Sequence, residues 1–381
     1  MPGYGHTPYR RHVRLLPLIL LLTLVARAEE FTDKLSKTFP LKPGNTLTLD
    51  ADFGFVEVRT SGSGAQVQVE VFRRVTADSK EEAQKIFDDL VLESRPDKEG
   101  TLVLSRFQKG WQKREEDGNR WRNTICESRS SELEPYDWDR RDSREHGDDG
   151  NVYCLSYGRQ IREYRYVVTL PRNQNLRVRT RAGHIEISDV DGYVKARTAG
   201  GHITAGVVKG EADLRTAGGH IEITSSGGPA HLTTAGGHIT VGDVNGDLWA
   251  TTAGGHIHSG KVKGSVTAKT AGGSIEIAQA SGYVKAETVG GSVTVRFASQ
   301  PTADSSLKTM AGSVRVELPK NVKLDLDARS AGGSVSTDYS VETASYRGRE
   351  SLQGKINGGG PRLELRSSFG SIRVSQTSYP F

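Results

Sequence analysis

Between Thr180 and Val295 short runs of alternating apolar and polar residues return every 18 residues. In the first run Ile185 and Ile187 share one side, while His184 and Glu186 take the other. In the second run Val194, Ala196 and Thr198 oppose Tyr193, Lys195 and Arg197. A period of two is strand spacing, because successive side chains on an extended backbone point to opposite faces. The second apolar set comes back as Ala212 and Leu214, Ala230 and Leu232, Leu248 and Ala250, Val266 and Ala268, and Val284 and Ala286. Thr198-Ala-Gly-Gly-His202-Ile recurs from Thr216, Thr234 and Thr252, then fades to serine-bearing copies at Thr270 and Thr288. A degenerate first copy, Thr180-Arg-Ala-Gly-His184-Ile, opens the series. A fixed step of this kind marks one supersecondary unit stacked on itself.

Two strands per 18-residue coil, joined by glycine-rich corners, predict an all-β fold of a single kind: a single-chain parallel β-solenoid. Each strand would pair with its copy one coil above and below, about 4.8 Å away, and two sheets would face each other across roughly 10 Å of core. The corner glycines Gly183, Gly201, Gly219, Gly237, Gly255, Gly273 and Gly291 are expected to supply positive φ for the tight turn. Adding Gly312, Gly333 and Gly370 gives about ten coils and a rod roughly 50 Å long at strand spacing. Beyond Val295 the step lengthens to 21 residues at Thr309 and again at Ser330. Thr343 to Gly360 reads as a polar loop, and Arg362 to Val374 as a final coil. The solenoid repeats are thus assigned to residues 161–381.

Residues 29–107 predict a capping β region with one helix. Asp52-Phe-Gly54-Phe-Val-Glu-Val58 is a weathered copy of the corner-strand motif. A helix is expected over Ser79 to Leu92, where Ser79 and Glu82 form a capping-box pattern and Ala83, Ile86, Phe87, Leu90 and Val91 share a face. That stripe would cover the open end of the stack, whose unpaired backbone would otherwise recruit another chain. Residues 108–160 break the pattern with charges of both signs, Trp111, Trp121 and Trp138, and both cysteines. They read as a charged insertion, partly disordered.

Composition changes this picture at the N-terminus. Residues 1–28 carry Arg10, Arg11 and Arg14, an apolar run from Leu15 to Val25 and the small-x-small ending Ala26-Arg-Ala28. That is a secretory signal peptide, with an apolar run too short to span a bilayer. The expectation is an exported chain beginning at Glu29, with no transmembrane segment, in the periplasm, on the cell surface or secreted. The signal segment holds four of the 51 basic residues, so removing it brings the balance against 46 acids to within one charge. Nothing then calls for nucleic acid as a partner. In an exported protein an even pair of cysteines predicts a disulfide between Cys126 and Cys154.

The candidate chemistry is a histidine column. His184, His202, His220, His238 and His256 recur once per coil at outward parity, beside Glu186, Glu222 and His258. Such a ladder could hold Zn²⁺ or Cu²⁺ through adjacent imidazoles and a carboxylate, or charge up together below about pH 6. The plainer reading is coil duplication with histidine as a tolerated corner residue, since Ser274 and Ser292 occupy the same place; no cofactor is then expected. The threonine column Thr198, Thr216, Thr234, Thr252 and Thr270 has inward parity, which points to hydroxyls bonding the ladder or the corner backbone. No nucleophile elbow, phosphate-cradling loop or HExxH motif occurs.

The alternating N-terminal region, Val168-Thr-Leu-Pro171, Leu176-Arg-Val-Arg-Thr180, the Thr-x-x-Gly-x-Ile coils and the ending Asn357-Gly-Gly-Gly with Leu363-Glu-Leu together form a recognisable set. In these the chain resembles the bacterial putative-adhesin family of β-strand-repeat proteins. The resemblance covers most of residues 31–381 and implies a cell-envelope or secreted β-solenoid without known catalytic residues. The cysteine-bearing insertion and the regular histidine column depart from it. The expectation is a non-enzymatic binding or structural module whose repeated outward faces meet glycan or envelope protein, with homo-oligomerisation left open. Two alternatives are a metal-binding periplasmic protein using the histidine ladder and a polysaccharide-active β-helix enzyme.

Overall fold

The computed structural model describes residues 29–62, 64–107, 162–347 and 349–377. The expected signal segment over 1–28, the expected insertion over 108–160 and the expected Cys126–Cys154 disulfide therefore lie outside the described residues. Among the described residues, two sheets of 14 and 15 strands face each other, and one short helix accompanies them. The inter-strand register is the sequence repeat itself. Ile203 lies beside Ile185 and Ile221, and Ala196 beside Val178 and Leu214, all in parallel. Because like sits on like, Ile185, Ile203, Ile221, Ile239, Ile257 and Ile275 form one aliphatic spine, each at most 1% exposed. Each contributes about 1.5–3 kcal/mol of transfer energy. This is a parallel β-solenoid.

The series starts earlier than Thr180. Thr46–Ala51 and Phe55–Ser61 form a coil in register with Asn175–Thr180 and Ile185–Ile187, so the copy around Gly54 adds one coil to the ten counted from corner glycines. The far end is also arranged differently from its order in the chain. Arg362–Ser367 and Ile372–Gln376 are last in sequence but sit between the coil of Ser305–Thr309 and that of Leu324–Ser330.

Both ends of the stack finish in antiparallel strands. At the start, Glu29–Pro40 pairs with Gln66–Ala77, which pairs with Arg162–Pro171, and Leu90–Asp97 pairs with Gly100–Phe107. At the finish, Ser351–Ile356 lies between Leu324–Ser330 and Val341–Arg347. The expected loop over 343–360 is therefore largely strand. The physical reason is the open edge of Leu324–Ser330, whose backbone groups need partners. Leu90–Asp97, an outermost strand, carries Glu93, Arg95, Pro96 and Asp97, a sequence that discourages further pairing.

The helix is shorter than its periodicity suggests, running only over Lys80–Asp88. Ser79 caps the helix as expected, its Oγ accepting from the Glu82 amide at 3.2 Å, while the Glu82 carboxylate reaches one residue past the cap and accepts from the Asp78 amide at 2.9 Å. Ala83, Ile86 and Phe87 pack against Val75 and Ala77. Leu90 and Leu92 belong instead to the strand opposite Phe107 and Ser105, because pairing with a neighbouring strand outweighs helical spacing at a frayed end.

The corner glycines are required, but for a different reason than positive φ. Of the seven, only Gly183 has φ in the left-handed region, at 131°. A Cβ on Gly201 would lie 1.9 Å from the Gly183 carbonyl oxygen, and one on Gly219 2.0 Å from that of Gly201. The same clash recurs at Gly237, Gly255, Gly273 and Gly291. Consecutive corners touch backbone to backbone, so the constraint is space between coils. The preceding glycine of each pair is looser: a Cβ on Gly218 would meet its nearest atom at 3.5 Å. Alanine accordingly stands there as Ala182 and Ala311.

Candidate functional site

From Thr198 onward each coil is closed by a staple built from a hydroxyl in the threonine column. Thr216 Oγ1 donates to the Gly201 carbonyl at 2.8 Å and accepts from the Gly219 amide at 3.3 Å. Thr234, Thr252, Thr270 and Thr288 repeat both bonds, one reaching the previous corner and one closing their own. Ser330 and Ser367 make them with a serine hydroxyl. The staple places the next residue outward at the mouth of the corner, where the histidines stand.

His184, His202, His220, His238 and His256 stack with ring centroids 4.8, 4.8, 4.8 and 5.0 Å apart and ring planes within 14° of parallel. Each ring is tied to the coil that follows. The His202 amide donates to His184 Nδ1 at 2.9 Å, His220 to His202 at 2.8 Å, His238 to His220 at 2.7 Å, and His256 to His238 at 2.8 Å. The Ser274 amide closes the series on His256 Nδ1 at 2.8 Å. An Nδ1 that accepts cannot carry the proton, so these bonds assign the neutral Nε2–H tautomer to all five rings. Where serine replaces histidine its hydroxyl oxygen does the same work: Ser274 and Ser292 accept from the Ser292 and Ser313 amides. Histidine is thus more than a tolerated corner residue; it fills a backbone-acceptor position that serine also fills.

This tautomer bears on the metal expectation. With Nδ1 engaged and Nε2 protonated, a ring in the column offers no free lone pair to an ion. Among the described residues, no group of three or more His, Cys, Asp or Glu side chains converges on a point that could hold a metal. His258 stands outside the column, in the next outward row between Thr240 and Glu276, with its Nδ1 3.5 Å from the Glu276 carboxylate.

The column borders an outward row formed by Glu186, Thr204, Glu222, Thr240, His258, Glu276 and Thr294, one residue per coil. Between them lies an open depression of 390 Å³ lined by His184, Glu186, His202, Thr204, His220 and Glu222. Phe55 ends it. Since Val56 is in register with Ile185, Phe55 takes the histidine position of the first coil, and its ring meets His184 at 65° and 6.4 Å. Sequence reading did not assign Phe55 to the face, although the weathered copy around Gly54 carried that signal. On the opposite sheet His231 stacks on the exposed Trp249 at 4.3 Å, a pair the sequence reading also left unassigned.

The family profile described as Toastrack DUF4097 matches residues 150–375, more than half the chain. The chain belongs to this family. Its matched span holds the toastrack coils with the histidine and threonine columns, while the first coil around Gly54 lies before it. Three solved structures are similar over 91% of the chain. They are a putative cell adhesion protein from Clostridium sporogenes (9% identity, all of that chain, TM-score 0.23), a putative adhesin from Bacteroides fragilis (8%, 97% of that chain, 0.31) and one from Parabacteroides distasonis (11%, 97%, 0.32). Likeness at these scores says nothing of a ligand. No curated protein matches the chain.

Proposed function

We propose that this toastrack chain is an exported, non-enzymatic module of the cell envelope that binds glycan or envelope protein through its repeated outward faces. The observation that carries the reading is the in-register ladder, which presents an outward imidazole at five successive coils, with rings 4.8–5.0 Å apart. A partner with its own repeat can engage several coils at once, so individually weak contacts add up to useful affinity. The repeated polar groups are also already employed in the scaffold. The threonine hydroxyls staple corners, and each Nδ1 holds the next backbone amide, so neither is poised to transfer a proton to a substrate. The signal-like start of the sequence and the near balance of charge favour export and a partner other than nucleic acid.

Fractionating cells that produce the tagged full chain tests export: it should appear outside the cytoplasm, shortened near Ala28. Incubating purified protein with a glycan array, followed by chromatography of the bound glycans, tests the rest. Retention without new reducing ends is expected. A chain kept whole in the cytoplasm, or one that cleaves what it binds, would overturn the proposal.

A further inference from the structure

The histidine column and the row beside it differ in hydrogen-bonding character. With each Nδ1 taken by backbone, every ring of the column projects one Nε2–H donor, and none of these finds an acceptor among the described residues. Ser274, Ser292 and Ser313 continue the column with hydroxyls, so the strip spans eight coils, about 34 Å at strand spacing. The neighbouring row starts with Glu57 in the first coil and then alternates carboxylate and hydroxyl over the next four: Glu186, Thr204, Glu222, Thr240. Within those four a carboxylate therefore returns every second coil, about 9.6 Å apart at strand spacing, the scale of one disaccharide unit in an extended glycan.

We propose that this strip is an axial binding site for a neutral, extended polysaccharide, lying along the solenoid axis with its hydroxyls bridging the Nε2–H column and the Glu/Thr row. This rests on reading the face as a binding surface, and it names the ligand class and the residues. The charge pattern selects the ligand. A sugar hydroxyl accepts and donates at once, so it can take the imidazole N–H and give its own proton to Glu186 or Glu222. A polyanion would meet those carboxylates with like charge. A basic segment would satisfy the carboxylates and leave the Nε2–H donors facing more donors. The depression of 390 Å³ over the coils of His184, His202 and His220 shows the strip to be concave at the end closed by Phe55.

The test uses the full chain and calorimetry at neutral pH. Probes are neutral β-1,4-linked gluco- and manno-oligosaccharides from disaccharide to hexasaccharide, uronate oligosaccharides and a lysine-rich peptide. Affinity for at least one neutral series should rise with length, because each further sugar meets another coil. The double variant His202→Ser, His220→Ser keeps a backbone acceptor at both positions, as Ser274 and Ser292 do, and should melt close to the parent. It loses the projecting donors, so affinity should fall about tenfold or more. Glu222→Gln, which keeps the shape, should weaken binding several-fold. Absence of binding by every neutral series, or undiminished binding by the double variant, overturns the site. Binding of the uronates or the peptide alone also overturns it while leaving a binding module in place; cleavage of a bound oligosaccharide overturns the broader proposal.

Discussion

Replacing Thr234 by valine isolates what the corner staple contributes. Valine keeps the branched shape and volume at a position only 3% exposed, so packing should hardly change. What disappears is a hydroxyl that donates to the Gly219 carbonyl at 2.7 Å and accepts from the Gly237 amide at 3.2 Å. Both partners are buried, and a buried group left without its bond costs about 1–3 kcal/mol. Two such groups give a loss of about 2–5 kcal/mol. Thr234→Ser is the control, since Ser330 and Ser367 make the same pair of bonds; it removes one methyl, about 0.8 kcal/mol. Denaturant midpoints would rank the variants as parent, then serine, then valine well below. Because stacked coils open locally, hydrogen exchange at the Gly237 amide should speed up in the valine variant alone. If the valine and serine variants unfold together, with Gly237 equally protected, the staple is not what holds the corners.

Gly219→Ala should be far worse than Gly218→Ala. The first puts a Cβ 2.0 Å from a backbone carbonyl oxygen of the neighbouring coil and the second meets nothing closer than 3.5 Å, so expression yield and melting temperature should separate them. Acid should weaken the column at His238. Burial among the stacked rings, then the charges of His220 and His256, pull the His238 pKa below its ordinary value. With the folded pKa below the unfolded one of about 6.5, its contribution is complete above that pH and is lost as pH falls through it. Parent and His238→Ser should therefore melt close together at neutral pH and separate toward pH 5, the parent falling further, and curves that stay parallel would refute this. Asp327 governs a lower window. Burial would raise its pKa, but hydrogen bonds from Arg366, Arg362 and Gln353 hold the carboxyl far below its ordinary range. Its stabilisation is present above the unfolded value of about 3.9 and lost as pH falls below it, so Asp327→Asn should destabilise at pH 7 and flatten the acid limb of the stability curve.

The sequence by itself determined the coil. An 18-residue step with period-two apolar positions admits one economical burial, copies stacked in register, so Ile185 to Ile275 had to become a spine. The same parity set the histidines outward and the threonines inward. It also carried the first coil, in the worn copy around Gly54. What the tertiary structure decided lies where the repeat ends or where coils touch. Leu90 and Leu92 fit a helical stripe, and only the presence of Gly100–Phe107 as a pairing partner turned them into strand. Residues 343–360 are polar enough to read as loop, yet the bare edge of Leu324–Ser330 draws most of them into pairing. The corner glycines were visible as a pattern, but their cause, a carbonyl about 2 Å from each missing Cβ, exists only between coils. The histidine tautomer is of the same kind. It follows from an amide 18 residues further on, which becomes a neighbour only once the chain has wound through a full coil.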